Sequence, residues 1–156
     1  MTERKFQAGE LPIKALLRGS KSGNPKDMTD QQLNRALAEL MGYTVRLKGS
    51  CYWLVNPTGE ESANPFGRNS EEIAWTWVPD YCTDPAASLE LQAKAIEVDA
   101  RMYAINLAER LTWDSDGYPL VYDDNDLFSY TGVANFLLSS PRERAEAAYI
   151  TLQAHG

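Results

Sequence analysis

Five aspartates crowd one stretch of this chain: Asp114, Asp116, Asp123, Asp124 and Asp126. Oxygen-rich loops of that kind can hold Ca²⁺ or Mg²⁺. The EF-hand spacing, D-x-[DN]-x-[DN]-G with Glu six residues on, is absent, and Asp is also a favoured turn former. The sequence therefore predicts no metal site. Glu71, Glu72, Glu90 and Glu97 are carboxylates that could serve acid–base chemistry in a cleft, and each fits a solvated surface equally well. His155, the single histidine, stands next to the last residue, where a general base is hard to hold within hydrogen-bond reach. That placement removes Ser-His-Asp and Cys-His nucleophile schemes and any His-rich metal site. Cys82, near a helix start, has no basic neighbour in sequence to lower its pKa. Gly117 and Gly132 are isolated, so there is no Gly-rich phosphate loop. No catalytic residue, metal or cofactor is predicted, and the expectation is a protein that is not an enzyme.

A binding site is better supported. Trp53, Trp75 and Trp77 fall at alternating positions of apparent strands, and Arg46, Lys48 and Tyr52 lie beside a hairpin turn. Aromatic faces next to cations suit a nucleotide, whose base stacks while its phosphates are neutralised. The competing reading makes the tryptophans core residues beneath helices and the cations solvated.

The elements that must position these residues begin with a poorly patterned segment. Residues 1–28 carry six basic and three acidic side chains and end in a turn-rich run, Gly19 to Pro25. This reads as a flexible basic arm, leaving residues 29–156 as a single domain. The remainder carries nine basic and nineteen acidic residues, for a net charge of −7 overall. An acidic body does not suit duplex nucleic acid, whose binding rests on neutralised phosphates. No run is long and apolar enough for a membrane span, and the first residues lack a signal-peptide core. With only Cys51 and Cys82, in different elements, the expectation is reduced thiols in a cytoplasmic protein.

A helix opens at a capping box, Thr29 to Gln32, and carries Leu33, Ala36, Leu37, Leu40 and Met41 on one face before Gly42 stops it. Tyr43–Lys48 alternates strictly, Gly49-Ser50 turns, and Cys51–Val55 returns, which predicts a hairpin. Ile73–Val78 reads as a third, aromatic strand. Pro85, behind Thr83 or Asp84 as cap, starts a helix that runs to about Leu111. Its pattern is unusual. One apolar stripe runs Ala86, Leu89, Ala93, Ile96, Ala100, Tyr103 and Leu107; a second runs Leu91, Ala95, Val98, Met102 and Ile105. Two residues are about 200° apart around a helix, so the stripes lie on opposite sides. One stripe can cover a sheet; the other needs the C-terminal helix or a second subunit, making Leu91, Ala95, Val98, Met102 and Ile105 candidate interface residues. Trp113–Tyr122 reads as a turn and short strand, and Thr131 as the cap of a short helix with Val133, Phe136 and Leu137. The last helix starts with Ser140, Pro141 and Glu143 and buries Ala145, Ala148, Tyr149 and Leu152. The fold class expected is α+β: a small antiparallel sheet of three to four strands sandwiched by helices, with one long central helix.

Three segments carry a family likeness: Leu33–Tyr43 with its Leu-Met-Gly-Tyr end, Val78–Leu91 with Tyr81-Cys-Thr-Asp84 before an alanine-rich helix, and Ser139–Tyr149 with its Pro-initiated helix. Together they resemble the phage ABA-sandwich family, over roughly residues 29–154. Cys82 stands where Ser is common in that family, and the middle helix is longer. The resemblance implies helix layers around an antiparallel sheet and a phage or prophage setting; it brings no catalytic residues. On that basis the expected function is an accessory protein that binds stoichiometrically, as counter-defence in a bacterial host. It would sequester a nucleotide immune signal through Arg46, Lys48, Tyr52, Trp53, Trp75 and Trp77, as a homo-oligomer. The alternative is a blocker of a host defence protein that uses acidic patches such as Glu60, Glu61 and Asp123–Asp126. A structural protein of the phage, or a metal-dependent hydrolase, are further readings.

Overall fold

The computed structural model describes residues 23–62, 69–111 and 130–156. Within them the chain is α+β, with a 3-10 turn at Pro25–Asp27, helix α1 (Asp30–Leu40), strands β1 (Thr44–Lys48) and β2 (Cys51–Val55), helices α2 (Glu71–Trp75), α3 (Pro85–Arg110), α4 (Tyr130–Leu137) and α5 (Pro141–Gln153). The long helix is α3. Residues 1–22, the aspartate cluster and the turn-and-strand expected at 113–122 lie outside the described residues.

Both capping boxes form. The Thr29 amide donates to Gln32 Oε1 at 2.9 Å and the Gln32 amide to Thr29 Oγ1 at 3.2 Å. Ser140 and Glu143 repeat the exchange at 2.7 and 3.3 Å. Each cap contributes about 1 kcal/mol and fixes where its helix begins. Leu33 and Leu37 are fully buried, and Gly42 ends α1's turn at φ +93°. Asp84, not Thr83, caps α3 by accepting from the Ala86 amide at 2.9 Å. Thr131 is the second residue of α4, so it lies inside the helix and is not its cap.

Helix α5 is buried almost all round: Ala145, Glu146, Ala147, Ala148, Tyr149, Thr151 and Leu152 are all buried. Its alanines let α1 and α3 pack against it from different sides, and Leu33, Leu37, Leu91, Leu107 and Tyr149 join one core cluster.

Among the described residues the sheet has two strands, where three to four were expected. The expected third strand, Ile73–Val78, is replaced by helix α2, which starts at Glu71. Ser70 caps it, accepting from the Ile73 amide at 3.3 Å, and Glu71 and Glu72 suit its first turn. Those local start signals outweigh the β preference of the two tryptophans. The hairpin is not enclosed by helices either. It packs on α2, while Arg46, Leu47 and Lys48 face solvent.

Helix α3 explains its own two stripes. Asp99 has extended backbone angles, φ −156° and ψ 93°, and bends the helix there. Before the bend the second stripe is buried, through Leu91 and Ala95; after it the first stripe is, through Tyr103 and Leu107. In a straight helix eight residues turn Tyr103 about 80° away from Ala95. The bend brings both faces onto α5. The expected interface is therefore split: Leu91 and Ala95 are 0% exposed core residues and cannot meet a second subunit. Val98 and Met102 remain 38% exposed, and Ile105 is half-buried.

Candidate functional site

The hairpin's strict alternation and the left-handed Gly49 (φ +65°) set its register: Arg46 opposite Trp53, Leu47 opposite Tyr52, and Lys48 opposite Cys51. Opposed residues share a face. Arg46, Lys48 and the half-buried Trp53 therefore stand together on the outer side, with Tyr52 on the other.

The next loop brings a carboxylate to the same place. Asn56 Oδ1 accepts from the Glu60 amide (2.8 Å), the Thr58 amide (3.1 Å) and the Thr58 hydroxyl (2.7 Å), folding the chain back so that Glu61 bridges to Val55. Glu61 then lies 3.3 Å from Lys48 Nζ and 3.9 Å from the Arg46 guanidinium. One carboxylate faces two cations that are 67% and 61% exposed. Such pairs contribute at most about 1 kcal/mol in water, so Glu61 is readily displaced. Sequence reasoning placed Glu61 in a separate acidic patch; the Asn-Pro-Thr-Gly turn was the signal that it returns to the strands.

The other two tryptophans do not join this face. Trp75 is 7% exposed and sits in the core cluster. Its indole donates to Glu71 Oε1 at 3.3 Å, and the Arg35 guanidinium lies 4.9 Å above its ring. Trp77 follows α2 in a turn and is 53% exposed. Of the six residues expected to converge, three share this face: Tyr52 lies on the other face of the hairpin, and Trp75 and Trp77 belong to a helix and its following turn where a strand was expected.

A cleft of about 420 Å³ opens between the start of α1, the end of α2 and the segment before α3, lined by Asp30, Asn34, Trp75, Thr76, Val78 and Asp80. Its polar groups are already engaged. Asn34 donates to Asp80 at 2.9 Å and accepts from the Cys82 amide at 3.1 Å. Asp80 also accepts from the Thr83 hydroxyl and amide. The Thr83 hydroxyl bond, with help from Asn34, holds the Asp80 carboxyl below the usual range. This is a folded turn with its donors and acceptors matched.

Beside it lies a cluster that sequence reasoning missed. Arg142, at the start of α5, donates to Asp30 (2.5 Å), Glu146 (2.9 Å) and the Pro25 and Met28 carbonyls (2.7 and 2.8 Å). It clasps the segment before α1 onto α5, so the fold includes Pro25–Met28. The Cys82 thiol is 3.8 Å away, yet burial pushes it up to about 12, beyond what the nearby guanidinium offsets. It is an inert thiol at neutral pH. The local sequence shows only the Glu146 partner four residues on; Asp30, Met28 and Pro25 are more than 110 residues away.

His155 pairs with Asp99 at 3.2 Å. Glu71 faces Arg35 and Glu97 faces Lys94, on exposed helix surfaces. Among the described residues no three His, Cys, Asp or Glu side chains converge as a metal site, and no helix is long and apolar enough to cross a membrane.

Compared with known proteins, the chain matches no family model, no curated protein and no solved structure.

Proposed function

We propose that this protein works by stoichiometric binding and that the outer face of the hairpin captures a nucleotide signal. The observation that carries this reading is the cross-strand pairing of Arg46 with Trp53, with Lys48 on the same face. A base stacks on the half-exposed indole while a phosphate replaces Glu61 between the two cations. The likeness of three segments to the phage ABA-sandwich family supplies the setting: counter-defence in the cytoplasm of a bacterial host, by capture without turnover. Native mass spectrometry with a panel of cyclic and linear nucleotides tests it. Retention of a nucleotide by the wild type and its loss in folded Arg46→Glu support the reading; no retained nucleotide across the panel sinks it.

A second reading, a protein that blocks a host defence protein, is favoured by exposed apolar residues on α3. Leu89 is 49% and Ile96 43% exposed, with Val98 and Met102 nearby. The acidic version of that idea is weaker, since Glu60 bonds Asn56 and Glu61 holds the hairpin cations. Self-association through the same helix is tested by Val98→Glu: a dimer that becomes monomeric in light scattering supports it, and an unchanged mass removes it.

A further inference from the structure

Helix α3 carries more apolar residues than its bent form buries. Continuing from Leu91 and Ala95 in steps of three and four, an unbroken helix brings Val98, Met102 and Ile105 onto the side facing α5. The observed helix brings Tyr103 and Leu107 there instead. The two arrangements differ by one residue, about 100° of rotation of the C-terminal half. Both sets are apolar, so hydrophobic burial alone does not choose between them.

Polar contacts make the choice. Asp99 leaves the helix and caps its second half, accepting from the Met102 amide at 2.9 Å. Its other carboxylate oxygen meets His155 Nε2, just past the end of α5, at 3.2 Å. Further along, the buried Asn106 side chain donates to the Thr151 hydroxyl at 3.0 Å, which in turn donates to the Ala147 carbonyl. Arg110 lies 3.8 Å from Glu146, and its Nε is buried without a hydrogen-bond acceptor. Across the bend, Tyr103 donates to Gln92 at 3.0 Å. A single polar residue that specifies register between otherwise equivalent apolar packings is a recognised use of buried polarity.

We propose that α3 is a two-register helix: contacts of Asp99, Asn106 and His155 hold the bent register, and their release lets an unbroken helix turn Val98, Met102 and Ile105 inward in place of Tyr103 and Leu107. The register decides whether Val98 and Met102 are offered to solvent. It thereby gates the apolar surface of the second functional reading, and it stands independently of nucleotide capture at the hairpin. The unsatisfied Arg110 Nε marks the bent packing as imperfect, which leaves room for a competing register.

Hydroxyl-radical footprinting read by mass spectrometry tests this directly, because it reports Met102 and Tyr103 separately. In the wild type Met102, 38% exposed, is expected to be modified readily and Tyr103, 3% exposed, to be protected. The double variant Asp99→Leu/Asn106→Leu, at unchanged pH, is expected to slow modification of Met102 at least fivefold and to speed that of Tyr103 at least fivefold. His155→Ala is expected to move both rates in the same directions by about twofold. An unchanged footprint in both variants overturns the proposal, as does a double variant that keeps its helical circular dichroism with both residues reactive. Should the double variant lose its helical signal, His155→Ala decides alone: the paired shift supports the two registers, and an unchanged pair of rates rejects them.

Discussion

Arg142 and Arg46 are both arginines facing carboxylates, and they could hardly be used more differently. Arg142 has its guanidinium edges filled by Asp30, Glu146 and two backbone carbonyls, and it joins the start of the fold to α5. Arg46 is 61% exposed, with one distant contact to a shared Glu61. A cation whose donors are all spent on the chain's own acceptors is structural. One held by a loose, water-screened contact is free to meet a ligand. Charge alone does not separate the two; the number of satisfied donors does.

That contrast can be broken at several points. Arg142→Ala is expected to have the largest effect, about 3 kcal/mol in urea unfolding, because it leaves the buried Glu146 with only the longer Arg110 contact and takes the donor from two carbonyls. Arg142→Lys should recover less than half of the loss, since a point charge cannot reproduce the fork. A loss under about 1 kcal/mol for the alanine variant would place Arg142 among ordinary surface pairs.

Asp30→Ala removes one partner from the same clasp, but Asp30 is 56% exposed. About 1 kcal/mol is expected, since water can replace the lost carboxylate at the guanidinium.

Acid titration sharpens the contrast next. The Asp80 carboxyl is held low by Thr83 and Asn34, and the Asp99 carboxyl is held low by the Met102 amide and then by His155. A depressed carboxyl stabilises the fold above its unfolded value near about pH 4 and loses that contribution as pH falls through the lower folded value. Stability measured by chemical denaturation should therefore drop below about pH 4. Asp80→Asn should flatten part of that drop, and an unaltered profile would show that Asp80 is not coupled to folding.

The smallest effect on stability belongs to the hairpin. Arg46→Ala should change unfolding by no more than about 0.5 kcal/mol. If the hairpin captures nucleotides, Glu61→Gln should tighten binding about fivefold by releasing both cations, roughly the worth of an exposed pair. Calorimetry showing weaker binding in that variant would make Glu61 a ligand contact and not a competitor.

Much of the fold was legible. Thr29, Ser140 and Asp84 announced three helix starts by local chemistry, and the alternation from Tyr43 to Lys48 with Gly49 announced the hairpin. Ile73–Val78 misled because Trp75 and Trp77 favour strands by side-chain shape, while the cap at Ser70 lies just before the window that was read. The two stripes on α3, and the C-terminal helix as a partner for one of them, were legible; that this one helix takes part of both was not. A bend at one aspartate lets a single partner, α5, consume half of each, and periodicity cannot register a break that leaves both stripes intact. Of the candidate site, Arg46, Lys48 and Trp53 followed from strand register. Glu61, Arg142 and the Asp99–His155 contact depend on loops and long sequence separations that carry no local pattern.

The clasp at Arg142 also constrains the order of events in folding. Its bonds to Pro25 and Met28 span 117 and 114 residues, so closing them costs the closure entropy of a long loop. During synthesis the first helix emerges long before the guanidinium that fastens the segment in front of it. Helix α5, which supplies the shared surface for α1 and α3, is made after every other described element. Until it arrives, Leu33, Leu37, Leu91 and Leu107 lack their common packing partner. Assembly of this core therefore waits for α5 to emerge, and a nascent chain paused before residue 141 exposes an unfinished apolar surface to whatever chaperone or neighbour is at hand.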